Sequence, residues 1–434
     1  MKIFCISIII FALTFGVLFA VDFGGSLDGT SIISYSEDLS DYRESNLSLW
    51  LTSDLGNDIK FFSKGSYTYS TVSPYLFELD LLNIQKENES IFSYTLGRLW
   101  TSDFSGYIFS HTMDGIKAEI NYPTVSISIS TGYTGFLFKE SSSVLISKAD
   151  KSDLLNSEKM FASPRIISGM DIFFPELFLF QDLNLSFWMQ FDMHSEEELL
   201  EEGPQLPSTA QGGKLHTQYT GLGLKGTLAP SLYYDSQLYL GTGQTLSYID
   251  SAYTYENILS FLGAFGIRYY SQDRFYSKTG FKFIYSSGDS DYTDFTEGNT
   301  ESTGVNFIPI SRATFGQVFS PLLGNIFLTQ LNYSMKPFGS SANIKLQNIQ
   351  TELIANSFFR SSTGNISEPG INPASSSLYL GTEIDAVINF RLFSDLGMSF
   401  SGGVFFPDTS SSGAFLASDR NIELSGKAEF SLSF

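Results

Sequence analysis

Ile422–Phe434, IELSGKAEFSLSF, decides how the chain is read. Ile422, Leu424, Gly426, Ala428, Phe430, Leu432 and Phe434 share one parity, and Glu423, Ser425, Lys427, Glu429, Ser431 and Ser433 share the other. A period of two with one apolar and one polar face is a β-strand between unlike environments. Its apolar face runs to the last residue, which points to a wall that meets lipid.

The composition agrees. Of 434 residues 15% are aromatic, with 41 Phe and 23 Tyr, and only 16% are charged. Mean hydropathy is near zero at +0.02, and no apolar run beyond the first twenty residues is long enough for a membrane helix. Strands that alternate lipid-facing and lumen-facing residues give this balance. The opening MKIFCISIIIFALTFGVLFA has one Lys before an apolar run from Ile3 to Phe19 and a small residue at Ala20. Residues 1–20 are therefore expected to be a cleaved export signal, with Leu18 an imperfect fit to its cleavage site. Cys5, the one cysteine, falls inside it, so residues 21–434 lack disulfides and cysteine chemistry. No linker divides them, so 21–434 is expected to be one domain. The formal net charge of −21 argues against nucleic acid as a partner.

Tyr122-Pro123, Pro175-Glu176, Ala229-Pro230-Ser231, Ser271–Arg274, Lys336-Pro337 and Ser394-Asp395 each lie between alternating runs and read as tight turns. Longer polar stretches separate them: Lys139–Ser163, Ser195–Gly213, Leu246–Glu256, Gly288–Gly324, Ser361–Ser376 and Pro407–Asp419. Strict alternation of short and long connections is the asymmetry of a membrane barrel. Counting back from Phe434 places strands near 421–434, 395–406, 377–392, 343–360, 325–336, 274–287, 257–271, 231–245, 214–229, 179–194, 165–175, 123–138 and 114–121, then 90–100, 74–84, 58–72, 43–54 and 24–35. The expected fold is an all-β transmembrane antiparallel barrel of about 18 strands, with 16 as the other even count. In the strand 377–392, Leu378, Leu380, Thr382 and Ile384 are placed on the outer face.

Aromatic pairs beside the connections, such as Phe173-Phe174, Tyr269-Tyr270, Phe358-Phe359 and Phe405-Phe406, suit two interfacial girdles. His111, His194 and His216 stand apart, with no metal-ligand spacing and no visible triad, so neither catalysis nor a metal or other cofactor is expected. A wide barrel leaves a water-filled lumen. Arg98, Arg268, Lys278, Lys282, Glu383, Asp385 and Arg391 are the pore-lining candidates, the basic ones forming a ladder. The loop Gly288–Gly324 carries Phe307, Ile308, Arg312, Phe315 and Phe319 in a half-apolar stretch that a solvated loop does not need. It is expected to fold into the mouth as a constriction.

The last strand, with Phe430, Leu432 and Phe434, resembles the C-terminal signal strand of bacterial outer-membrane barrels. Ser377–Asp408, with Leu380–Asp385, Arg391 and Phe405-Phe406-Pro407, resembles the late hairpin of the alginate-export family of outer-membrane channels, and Leu96-Gly97-Arg98 followed by Asp114-Gly115 resembles strand ends common in porin-like barrels. These stretches cover under a fifth of the chain. The resemblance implies a monomeric channel in the outer membrane of a diderm bacterium, assembled by the barrel machinery, embedded in outer-membrane lipid and passing small, anionic or sugar-type solutes or ions by diffusion or export. With only 25 basic against 46 acidic residues, the chain departs from the basic lining an alginate conduit needs. The rival expectation is a surface receptor or adhesin anchored by its barrel.

Overall fold

A computed structural model describes the chain except residues 1–20, 37, 73–74, 87–90, 179, 195–212, 250–251, 291–302, 392 and 419. The export-signal expectation and the acidic run Glu196–Glu202 lie outside the described residues.

Alternation forces the architecture. Eighteen strands each turn one parity outward, and one continuous antiparallel sheet is the only way to leave no edge in contact with hydrocarbon. The strands are β1 Val21–Tyr35, β2 Leu39–Gly56, β3 Ile59–Ser70, β4 Leu76–Lys86, β5 Phe92–Ser102, β6 Ser110–Tyr122, β7 Val125–Tyr133, β8 Arg165–Phe178, β9 Gln181–Asp192, β10 His216–Ala229, β11 Leu232–Ile249, β12 Ala252–Tyr270, β13 Lys278–Ser286, β14 Phe327–Met335, β15 Gln350–Phe359, β16 Tyr379–Arg391, β17 Leu396–Pro407 and β18 Glu423–Ser433. Each pairs with its neighbours in sequence, and β1 pairs with both β2 and β18, which closes the barrel. At that closure Gly25 and Phe434 exchange two backbone hydrogen bonds of 2.9 Å.

The outer face is predominantly apolar, with exposed Leu49 on β2, Leu240 on β11, Leu331 on β14, Ile388 on β16 and Phe400 on β17. So large a contiguous apolar exterior is a surface made for hydrocarbon.

Four connections depart from the sequence reading. The stretch Leu246–Glu256 is no long loop, because β11 and β12 stay paired out to Ile249 and Ala252. Lys336-Pro337 is no tight turn. The connection there runs to a short helix, Ile344–Gln347, and β15 begins only at Gln350. Pro175-Glu176 falls inside β8, which continues to Phe178 past a register shift after Phe174. The loop Lys139–Ser163 contains a helix, α1 Lys148–Leu155, started by a capping box in which Ser147 and Asp150 each hold the other's backbone N–H.

One parity is also inverted. Phe358 pairs with Gly381 but Phe359 pairs with Tyr379, so Leu380 is the extra residue of a β-bulge. Gly381 takes φ 154° there. Leu380 consequently turns inward and is fully buried, against the outward placement read from alternation.

Candidate solute passage

The inner face is expected to be polar, and for half its circumference it is not. Met113 on β6, Ile167 on β8, Trp188 on β9, Tyr219 on β10, Tyr239 on β11, Leu262 on β12, Ile284 on β13, Leu328 on β14, Phe358 on β15 and Phe405 on β17 are all buried and belong to one inward cluster. These residues form an apolar belt inside the barrel, and the loops pack on it. Phe109 comes from the β5–β6 loop, Val144 from β7–β8, Phe307, Ile310, Phe319 and Leu323 from β13–β14, Ile366 from β15–β16, and Phe415 from β17–β18. Among the described residues, no member of this cluster precedes Leu99 or follows Phe415. The loops are therefore seated on the arc from β5 to β17, and the arc formed by β18 and β1–β4 carries none of this packing.

The described part of the β13–β14 loop is placed by hydrogen bonds as well as by burial. Ile310 donates its N–H to the Ile108 carbonyl at 2.9 Å. Ser110 donates its N–H to Ser311 Oγ at 2.8 Å, and the Tyr219 hydroxyl donates to the Ile308 carbonyl. Gln317, Val318 and Phe319 donate three successive backbone N–H groups to the Glu383 carboxylate at 2.6, 3.1 and 2.7 Å. The Phe319 ring stacks on Phe405 with centroids 4.3 Å apart and meets Phe358 edge-on at 5.0 Å. Phe307 and Phe319 are thus anchors, Ile308 joins a satellite cluster with Ile146, Leu215 and Ile258, and Phe315 is partly buried. Arg312 is exposed, and its backbone N–H is held by the Ser143 carbonyl at 3.1 Å.

A second tether is ionic. Arg165, at the start of β8, is wholly buried; its guanidinium meets Asp150 on α1 at 2.9 Å and Asp192 at the end of β9 at 3.1 Å. His194 bridges Asp192 (Nδ1, 2.5 Å) and Asp153 (Nε2, 3.0 Å), and Lys159 meets Asp153 at 2.6 Å. Burial works against the charge on His194, but hydrogen bonds to Asp153 and Asp192 overcome it and raise its pKa to about 9. Asp153 is pushed up by burial and pulled down further by His194 and Lys159, so that it lies below its usual value. An Asp–His–Asp arrangement this enclosed fastens α1 to the wall. Sequence separation hides it, and the one local signal is the capping box Ser147-Lys-Ala-Asp150.

The pore-lining candidates divide. Arg98 is a correction: it lies on the parity of exposed Leu96 and Trp100, opposite to buried Leu99. Its guanidinium is spent on Asp114 (2.9 Å twice), Glu78 (3.0 Å), the Leu79 carbonyl (2.8 Å) and the Phe136 carbonyl (3.0 Å). Arg268 faces inward and pairs with Asp235 at 3.1 Å. Lys282 faces inward beneath two rings, 5.1 Å from Tyr107 and 5.6 Å from Phe315. Lys278 and Arg391 make no ion pair within 4.0 Å among the described residues. Glu383 binds the loop, and Asp385 is buried beside it with Oδ1 unpartnered. The expected basic ladder does not form as one free row.

No protein-family model matches the chain. No curated protein matches it either. Solved structures do. The chain is similar to Pseudomonas aeruginosa OccK8 (OprE), with TM-score 0.59 and 11% identity over 96% of this chain and 98% of that one. It is similar to OccK11 (OpdR) of the same organism, with TM-score 0.56 and 12% identity over 95% and 96%, and to OpdQ, with TM-score 0.56 and 11% identity over 96% and 99%. The likeness is one of fold. It spans the whole barrel and agrees with the 18-strand count, while the alginate-export resemblance of Ser377–Asp408 finds no support in it.

Proposed function

We propose that the protein is an outer-membrane channel that lets small water-soluble molecules cross passively. The observation that carries this reading is the one-sided packing of the lumen, with loops on the β5–β17 arc and a polar wall opposite. A barrel used only as an anchor has no need to seat its loops along one side of its interior. The closed sheet, the apolar exterior and the fold likeness to OccK8, OccK11 and OpdQ support a membrane-spanning pore. The constriction loop then narrows the path, and Arg312, exposed on that loop, is the charge a passing solute meets there. Purified protein that migrates as a heat-modifiable barrel is expected to give discrete conductance steps in a planar bilayer. Folded barrels without steps would return the loops to a surface-binding role.

A further inference from the structure

The unpacked arc has a chemistry of its own. On the inward parity the register places Ser433 of β18, Ser26 of β1, Ser48 of β2 and Ser66 of β3 in one row across four strands. The adjoining row contains Asp28, Asn46 and Thr68. The described protons of these groups are directed sideways along the wall: Ser26 donates to Asp28 at 3.0 Å, Ser48 to Asn46 at 2.8 Å, Ser66 to Asp80 at 2.8 Å, and Asn46 to Thr68 at 2.7 Å. With the hydroxyl protons of Ser26, Ser48 and Ser66 committed laterally, these three serines offer the lumen oxygen lone pairs. Cations on this arc are matched close by, Lys427 by Glu429 at 2.6 Å and Lys64 by Asp80 at 3.9 Å, so they present no free positive charge to a solute.

We propose that the solute class of this channel is neutral and rich in hydroxyl groups, such as a sugar or polyol; the inference rests on the channel reading above. A hydroxylated solute gives up hydrogen bonds to water on entering and recovers them by donating to the serine row. A carboxylate or phosphate brings only acceptors to a wall of acceptors and recovers nothing there. The row therefore selects for donors and against anions, without a charged binding site.

The test compares solutes of nearly one size in proteoliposome swelling: glucose, its cationic relative glucosamine, and its anionic relative gluconate. Glucose is expected to enter roughly tenfold faster than gluconate, the scale of about one unrecovered hydrogen bond, and no slower than glucosamine. The triple variant Ser26→Ala, Ser48→Ala, Ser66→Ala should bring the glucose-to-gluconate ratio toward one in a barrel that still migrates as folded. Equal rates in the native protein, glucosamine well ahead of glucose, or an unaltered ratio in the triple variant each overturn the solute class and leave the channel standing. Absence of conductance in the folded native barrel overturns the channel itself.

Discussion

The carboxylate of Glu383 accepts from the backbone N–H of Phe319 at 2.7 Å, and the same side chain holds Gln317 and Val318. One wall residue thus pins a loop that belongs to strands two and three places away. In Glu383→Ala three N–H groups, one buried and two partly buried, lose a charged acceptor, weakening the docked state by roughly 3–5 kcal/mol. Single-channel recordings are expected to show larger and noisier steps from a barrel that still migrates as folded. Steps of native size would mean that stacking of Phe319 on Phe405 suffices. Glu383→Gln, which keeps acceptor oxygen but not charge, should fall between.

The tether at His194 is pH-dependent in a definite direction. The pKa of His194 is raised from 6.5 to about 9 by Asp153 and Asp192 against the opposing effect of burial. Its contribution is complete below about 6.5 and disappears as pH rises through about 9, a loss on the order of 3 kcal/mol. Asp153 is lowered from 3.8, so its contribution is present above that value and disappears as pH falls below it. Protection of α1 amides, taken relative to their intrinsic base-catalysed exchange, should be highest between about pH 4 and 6.5 and fall toward pH 9. In His194→Ala the alkaline fall in protection should vanish. Its persistence would assign the effect to another group.

Arg98 closes the thinnest part of the wall. Among the described residues the β4–β5 ladder contains five pairs, from Leu82–Arg98 to Lys86–Tyr94, where the next shortest ladders contain eight. Above Leu82 the two strands part, and Arg98 bridges them by holding Leu79 and Glu78 on one side and Asp114 on the other. Arg98→Ala removes the shared donor of two carboxylates and two carbonyls, Glu78 keeping only the Phe138 N–H, and should cost roughly 3–5 kcal/mol. Urea unfolding in lipid vesicles reads this as a lower midpoint. Arg98→Lys should recover little of it, because an ammonium lacks the fork that spans the seam. An unchanged midpoint in the alanine variant would show that the seam is closed by other contacts.

Lys278 and Arg391 are the inward cations without a partner among the described residues, whereas Arg268 is neutralised by Asp235. Replacing both by Ser should move the reversal potential in a potassium chloride gradient toward cations by several millivolts. Arg98→Ala, on the outer parity, should not move it. A null result for the double variant would place ion preference at Arg312 and the other loop charges.

At the closure, Phe434 covers Gly25, and the Phe430 ring lies where any side chain at position 29 would go, 2.1 Å from an ideal Cβ. Phe434→Ser removes a ring but not the backbone bonds to Gly25. The yield of assembled barrel is expected to fall well below native while the barrels that do form conduct normally. Gly29→Val, by contrast, forces the Phe430 ring aside and should lower stability as well as yield. Native yield for Phe434→Ser would remove the terminal ring from assembly.

Strand number, order and most facings were legible because each strand lies between lipid and water, and a two-residue period records that directly. The β18 pattern from Glu423 to Ser433 needed no tertiary knowledge. Legibility failed wherever the inner surroundings stopped being water. Trp188, Tyr219 and Leu262 face inward beneath loops, so apolar residues stand on both parities and alternation fades. The bulge at Gly381 inverted Leu380, since one inserted residue leaves composition untouched while exchanging faces. The constriction loop announced itself through Phe307 and Phe319, which solvent would not tolerate. Its anchor Glu383 did not, because a carboxylate that caps backbone amides looks, in sequence, like any lumen charge. Arg98 was misread for a different reason: its Cβ lies on the outer parity of Leu96 and Trp100, and its charge was taken as lumen lining against that alternation.

The inner apolar belt also shapes the chain before it is a barrel. Around Trp188, Leu262, Ile284 and Leu328 the strands β9 and β12–β14 carry apolar residues on both faces, while β1–β3 keep one mainly polar face with serine, threonine, asparagine and charged residues. In the unfolded chain the middle is therefore the adhesive part and the first strands the more soluble part. The same residues that later seat the loops set where an unfolded copy would stick to another.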